Sequence, residues 1–84
     1  MRWVTEATYL GEYRLHISFN DGISGEVNLH PFLWVDHRPI FQQLRDLAQF
    51  QQFGVDMDTI VWANGADLAP EFLYDLIHAH QTQG

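Results

Sequence analysis

The residues best suited to chemistry in this chain are five histidines, a scatter of carboxylates and a polar corner, Trp62-Ala63-Asn64-Gly65-Ala66-Asp67. Histidine and carboxylate together can hold a metal or move protons, so spacing decides the matter. His78 and His80 lie on a helical pattern, where side chains two apart diverge by about 200°; a helical zinc pair uses i and i+4. Near a helix C-terminus they suit the dipole when protonated. His16 falls on a polar strand face. His30, His37 and Asp36 share a loop-rich region and form the one conceivable metal set. Surface or structural histidine is the expectation, with no metal and no cofactor.

Asp56 and Asp58 alternate, and such a pair could serve general acid–base chemistry or bind a divalent cation through oxygen. They flank a turn signal, however, where Asp commonly bonds its own backbone. No Ser-His-Asp order, phosphate-cradling loop or nucleophile elbow occurs, and Gly22-x-x-Gly25 belongs to a hairpin. No catalytic residue is assigned. In the polar corner, Trp62 closes a strand over the core, Asn64-Gly65 accept positive φ, and Asp67 faces the start of the last helix. This reads as a strand-to-helix connection. The rival reading makes Asn64, Asp67 and Tyr74 the walls of a pocket in a small ligand-binding or enzymatic domain. Trp3 and Trp62 are assigned to the core. Trp34, with Phe32 beside it, is the candidate contact surface, since tryptophan is a frequent interface anchor.

The elements that must position these residues follow from periodicity. Residues 2–9 have strand composition with imperfect alternation, ending in a turn at Gly11-Glu12. Tyr13, Leu15, Ile17 and Phe19 alternate with Arg14, His16 and Ser18, as in a half-buried strand. Asp21-Gly22 is a hairpin signal because both residues accept positive φ. Ile23, Gly25, Val27 and Leu29 continue the alternation beyond it. His30-Pro31 opens a short helical turn, residues 36–39 form a loop, and residues 40–46 a second short helix. Residues 54–62 predict two strands around a turn at Asp58-Thr59. Pro70 to about His80 carries an amphipathic stripe of Phe72, Leu73, Leu76 and Ile77, with Glu71 and Asp75 suited to the positive end of the helix dipole. The order β-β-β, short helices, β-β, α predicts an α+β fold: a small, five-stranded antiparallel sheet with the helices on one face.

Composition bounds the partners. Eighty-four residues, 46% of them apolar with six Phe, three Trp and three Tyr, predict a single domain over residues 1–84 with a feasible core. A homodimer would be an economical way to cover leftover apolar surface. There are no cysteines, which removes disulfides, thiolate metal sites and cysteine nucleophiles. The start of the chain lacks the apolar run of a signal peptide, and no stretch could cross a membrane as a helix, so a cytoplasmic protein is expected. Four arginines and no lysine against eleven acids give a net charge of −7. Phosphate backbones are bound through clustered Lys and Arg, so direct nucleic-acid binding is not expected. This charge could steer a basic protein as partner, but the preferred reading is that it keeps a small domain soluble.

The hairpin Phe19-Asn20-Asp21-Gly22-Ile23-Ser24-Gly25-Glu26-Val27-Asn28-Leu29, then Phe41-x-x-Leu44-x-Asp46, then Thr59-Ile60-Val61-Trp62-x-Asn64-Gly65-x-Asp67-Leu68-x-Pro70-x-x-Leu73-Tyr74, resembles the bacterial family catalogued as domain of unknown function 2442. The resemblance runs from about residue 3 to 76. It implies a small α+β domain without an established activity, found alone or joined to a helix-turn-helix segment. It also implies a frequent genetic neighbour, another small protein, in an arrangement reminiscent of toxin–antitoxin pairs. With the sequence running to Gly84, the unfused kind is expected. Ala69 stands where the family usually has a polar residue, which forgoes about 1 kcal/mol of helix capping and leaves those amides to Asp67 or water. The expected function is a non-enzymatic protein-interaction module that binds the neighbouring small protein in an antitoxin-like role. An accessory role beside a transcriptional regulator is the other implication of the family.

Overall fold

The computed structural model describes residues 1–82, with side chains as far as His78. The fold is α+β. Three strands, β1 (Val4–Gly11), β2 (Arg14–Phe19) and β3 (Ser24–Asn28), form an antiparallel sheet in that order. A second antiparallel sheet holds β4 (Phe53–Asp56), β5 (Thr59–Trp62) and β6 (Asp67–Leu68). Between them run α1 (His30–Val35), α2 (Pro39–Gln42), a 3₁₀ turn (Gln43–Arg45) and α3 (Leu47–Phe50), and α4 (Pro70–Thr82) follows the second sheet. The strands thus make two three-stranded sheets rather than one of five. The additional strand, β6, comes from the polar corner itself.

The alternation read in β2 is the one observed: Leu15, Ile17 and Phe19 are buried, with Leu15 and Ile17 opposite Val27 and Gly25 of β3 and Phe19 opposite Val4 of β1. The imperfect alternation of β1 has a structural cause. Register shifts against β2 fall between Val4 and Glu6 and between Tyr9 and Gly11. An extra residue in one strand slips the side-chain phase, so Val4 points inward and then Ala7 and Tyr9 become the half-buried positions.

Each hairpin turn differs from its expected form. The first falls on Glu12-Tyr13, both at positive φ (53° and 69°), so Tyr13 stands just outside β2. Asn20-Asp21-Gly22 is a three-residue connection in which only Gly22 has positive φ (88°). Its amide bonds Phe19 O and the Phe19 amide bonds Ile23 O, a turn closed by a glycine bulge. The third falls on Met57-Asp58 (φ 49° and 70°), between the paired Asp56 and Thr59. The stretch assigned to one helix over 40–46 is α2 and the 3₁₀ turn. There Asp46 ends the 3₁₀ turn and caps α3 by accepting from the Ala48 amide.

The two sheets share one core. Phe50, fully buried on α3, touches the rings of Tyr9 and Tyr13 from the first sheet's hairpin and Trp62 from the second sheet (centroids 6.0, 5.2 and 5.8 Å). The Val4 amide donates to Asp58 O at 2.9 Å, tying the start of β1 to the turn of the second sheet. Helix α4 lies against β3, where Ile77 occupies the space a side chain at Gly25 would need. No helix among the described residues is long and apolar enough to cross a membrane.

Candidate functional site

The polar corner is a loop returning β5 to β6. Trp62 is 2% exposed and its indole N–H donates to Phe50 O at 2.8 Å, which places it in the core as expected. The Trp62 amide bonds Ala66 O and Gly65 bonds back to Trp62 O, closing the loop with Gly65 at φ 93°. Asn64 does more than turn the chain. Its Nδ2 donates to Ile40 O (3.0 Å) and Gln43 Oε1 (2.9 Å), and its Oδ1 accepts from the Ala66 amide (3.0 Å). One side chain therefore fastens the loop to itself and to the segment spanning α2 and the 3₁₀ turn. That use leaves neither amide proton for a ligand.

Asp67 corrects an expectation. It lies in β6 opposite Val61, is exposed, and its side chain makes no hydrogen bond among the described residues, so it does not cap α4. The β5–β6 link is completed by Thr59, whose buried hydroxyl donates to Leu68 O. Tyr74 faces a different neighbourhood. It packs edge-on against Phe19 (5.2 Å) and carries the Arg2 guanidinium 3.6 Å above its ring. A cleft of about 290 Å³ beside the corner is lined by Leu44, Gln49, Gln52, Ala63 and Asn64. Neither Asp67 nor Tyr74 contributes to it, so the three residues of the pocket reading do not line this cleft together.

The histidines and carboxylates are similarly dispersed. Asp36 is gripped by Arg38 (Nη2–Oδ2 2.7 Å) and accepts its backbone amide as well, which pulls the Asp36 pKa down to about 2. The Asp21 pKa is lowered mainly by the Ile23 amide donating to it. His30 lies flat on Trp34, and His78 Nδ1 meets Tyr74 O at 3.0 Å. The side chain of His80 lies outside the described residues. Among the described residues no group of three His, Asp or Glu is placed to hold a metal ion.

Trp34 is exposed yet held on three sides. It is 43% exposed, stacked on His30 at 4.1 Å and 11°, met edge-on by Tyr13 at 5.1 Å, with the Arg45 guanidinium 5.4 Å from its ring. Arg45 is fixed by donation to Leu33 O, and the Tyr13 hydroxyl donates to Arg45 O. Sequence reasoning missed this bracing because Tyr13 and Arg45 come from other elements, although His30 lies one turn away on the same helix. Phe32, its neighbour, turns inward against Phe41 and Phe72. Trp3, assigned to the core, is instead 38% exposed, with its backbone clamped by Asn20.

A family model described as a protein of unknown function (DUF2442) matches residues 4–79. The chain belongs to the DUF2442 family. The match spans every strand, the short helices and most of α4, so the Trp62–Asp67 corner lies inside the shared domain. No curated protein and no solved structure matches the chain.

Proposed function

We propose that this DUF2442 chain is a non-enzymatic protein-interaction module, the partner of a neighbouring small protein in an antitoxin-like role. The observation that carries the reading is Trp34. A large aromatic side chain held in one orientation by a parallel histidine, a perpendicular tyrosine and an arginine loses little entropy on contact. Val35, next along the chain, is 72% exposed and widens the apolar surface. Such rigid aromatics are the residues that anchor interfaces.

Co-expression with the protein encoded beside it, followed by size-exclusion chromatography, tests the reading. One co-eluting peak that separates on Trp34→Ala is the expected result, since loss of a central aromatic anchor costs about 2 kcal/mol or more. Two separate peaks for the unaltered pair at micromolar concentration would overturn it. The same column reads whether the chain alone runs as a homodimer.

A further inference from the structure

Helix α1 presents one stripe to solvent. His30, Pro31, Trp34 and Val35 are its exposed residues, and steps of one and four along a helix keep them on one side. None of them is an acid. On the opposite side Leu33 is buried and Phe32 packs against Phe41 and Phe72, which fixes the face that α1 turns outward.

The charges beside this stripe are joined to it by a chain of contacts. The Arg45 guanidinium stands 5.4 Å from the Trp34 ring centroid. Its Nε donates to Leu33 O at 2.9 Å, and its Nη2 reaches Asp36 O at 3.5 Å. The Asp36 carboxylate in turn holds Arg38 at 2.7 Å. That ion pair is lopsided: the Arg38 side chain is 64% exposed and the Asp36 side chain 15%. Solvent therefore meets the cation far more than the anion. Arg45 differs from the other three arginines, each of which has a carboxylate within 3.6 Å. It is bonded to backbone carbonyls alone, which leaves its Nη1 without a partner among the described residues.

Local charge here is opposite to that of the molecule. Residues 30–45 carry Arg38 and Arg45 against Asp36, a net of +1, and His30 and His37 add to it when protonated. The rest of the chain holds two arginines and ten acids, a net of −8. The acids closest along the chain to the groups around Trp34 are Glu12, next to Tyr13, and Asp46, whose carboxylate accepts the Ala48 amide. Neither is within ion-pair distance of an arginine among the described residues. Net charge alone favours a basic partner; the placement of charge at Trp34 favours the reverse.

We propose that the Trp34 face takes an acidic segment of a protein partner, one in which carboxylates flank an apolar side chain. The proposal rests on the reading of Trp34 as an anchor and adds the chemistry of what the anchor meets. The apolar side chain covers Trp34 and Val35, and the carboxylates bond Arg45 Nη1 and the Arg38 guanidinium. Arg45, already held by Leu33 O, loses little freedom in doing so. The acids on the rest of the molecule repel such a segment, so charge selects this face and rejects the others.

The probe is a short synthetic peptide alternating Glu and Leu, and the reporters are the three tryptophan indole N–H signals of ¹⁵N-labelled protein. The Trp34 indole and the Arg45 Nε–H should move on titration while the Trp3 and Trp62 indoles stay. A Lys–Leu peptide should leave Trp34 unmoved, and a Glu–Ser peptide should bind about tenfold more weakly. Arg38→Gln and Arg14→Gln lower the net charge equally. Only Arg38→Gln, at this face, should weaken the Glu–Leu peptide, by about three- to fivefold. No shift at millimolar peptide, movement of Trp3 in place of Trp34, equal binding of the Lys–Leu peptide at Trp34, or equal effects of the two arginine variants would each overturn the proposal. Co-expression with the neighbouring protein separates this result from the broader reading. If Trp34→Ala splits that pair while the Glu–Leu peptide leaves Trp34 unmoved, the anchor stands and the acidic partner is overturned. If the peptide moves Trp34 in a chain that forms no pair, the acidic chemistry of this face is upheld and the neighbouring protein is not its occupant.

Discussion

Asn64 carries more of this structure than its place in a turn suggests. Two donations and one acceptance converge on a single carboxamide. Asn64→Ala leaves the Ile40 carbonyl and the Ala66 amide without their partners. The cost should be about 1–3 kcal/mol, reduced towards the lower value by water access at this half-buried site. Asn64→Asp keeps the acceptor for the Ala66 amide but sets a carboxylate against two acceptors, so it should destabilise at least as much. Urea denaturation of both variants decides this; a loss under about 0.5 kcal/mol in each would show that these bonds are dispensable. Asp36 offers a second prediction at the same scale. Its folded pKa lies at about 2 against an ordinary 3.8, chiefly because Arg38 bonds the ionised form. A depressed pKa contributes stability above the unfolded value that fades as pH falls through the folded one. Wild type should therefore melt above Asp36→Asn at pH 7, with the gap closing between about pH 4 and pH 2. A gap independent of pH would assign the difference to something other than ionisation.

At the scale of elements, local pattern and long-range pairing part company. The alternation in Leu15, Ile17 and Phe19, the proline that opens α4 and the short helices after His30 were legible because each depends on residues close in sequence. The division into two sheets was not, since strand periodicity says which face is buried but not which strand lies beside which. Two turns were misplaced by a residue because Tyr13 and Met57 adopt backbone angles that their side chains disfavour. The helical stripe did place Ile77 inward, and it meets Gly25 of β3 there. A methyl group at Gly25 would lie 2.8 Å from Ile77 Cγ2, inside carbon–carbon contact distance. Gly25→Ala should thus cost about 1–3 kcal/mol through overpacking. In an Ile77→Ala background, where that carbon is gone, the same substitution should be markedly milder, with a coupling of about 0.5–3 kcal/mol in the double-mutant cycle. Additive losses would place the strain elsewhere in α4 or β3.

For the whole molecule, the question is how two small sheets with few shared hydrogen bonds behave as one unit. A domain of 84 residues has about 4–12 kcal/mol of stability in all, so neither sheet has much to spare alone. Phe50 joins them from the core side, beside the Val4–Asp58 hydrogen bond. It sits on a four-residue helix of no independent stability, yet its ring touches Tyr9, Tyr13 and Trp62 and its carbonyl accepts the Trp62 indole. The candidate site shares this dependence: Tyr13, which braces Trp34, packs on Phe50, and Trp62, which begins the Asn64 corner, bonds to it. None of this could be read from Phe50 in the sequence, where it is one more apolar residue beyond the helix expected over 40–46. Phe50→Ala removes the ring and leaves a cavity facing both sheets, a loss of about 3–5 kcal/mol. That is a large fraction of the total, so the variant should be mostly unfolded or melt far below wild type. Phe50→Leu should retain a single transition at a lower midpoint. The Trp62 indole N–H resonance follows the second sheet and far-ultraviolet dichroism the whole fold, and in both proteins the two signals should fall together. Separate transitions in Phe50→Leu would mean that the sheets fold independently and that the shared core is not what unites them.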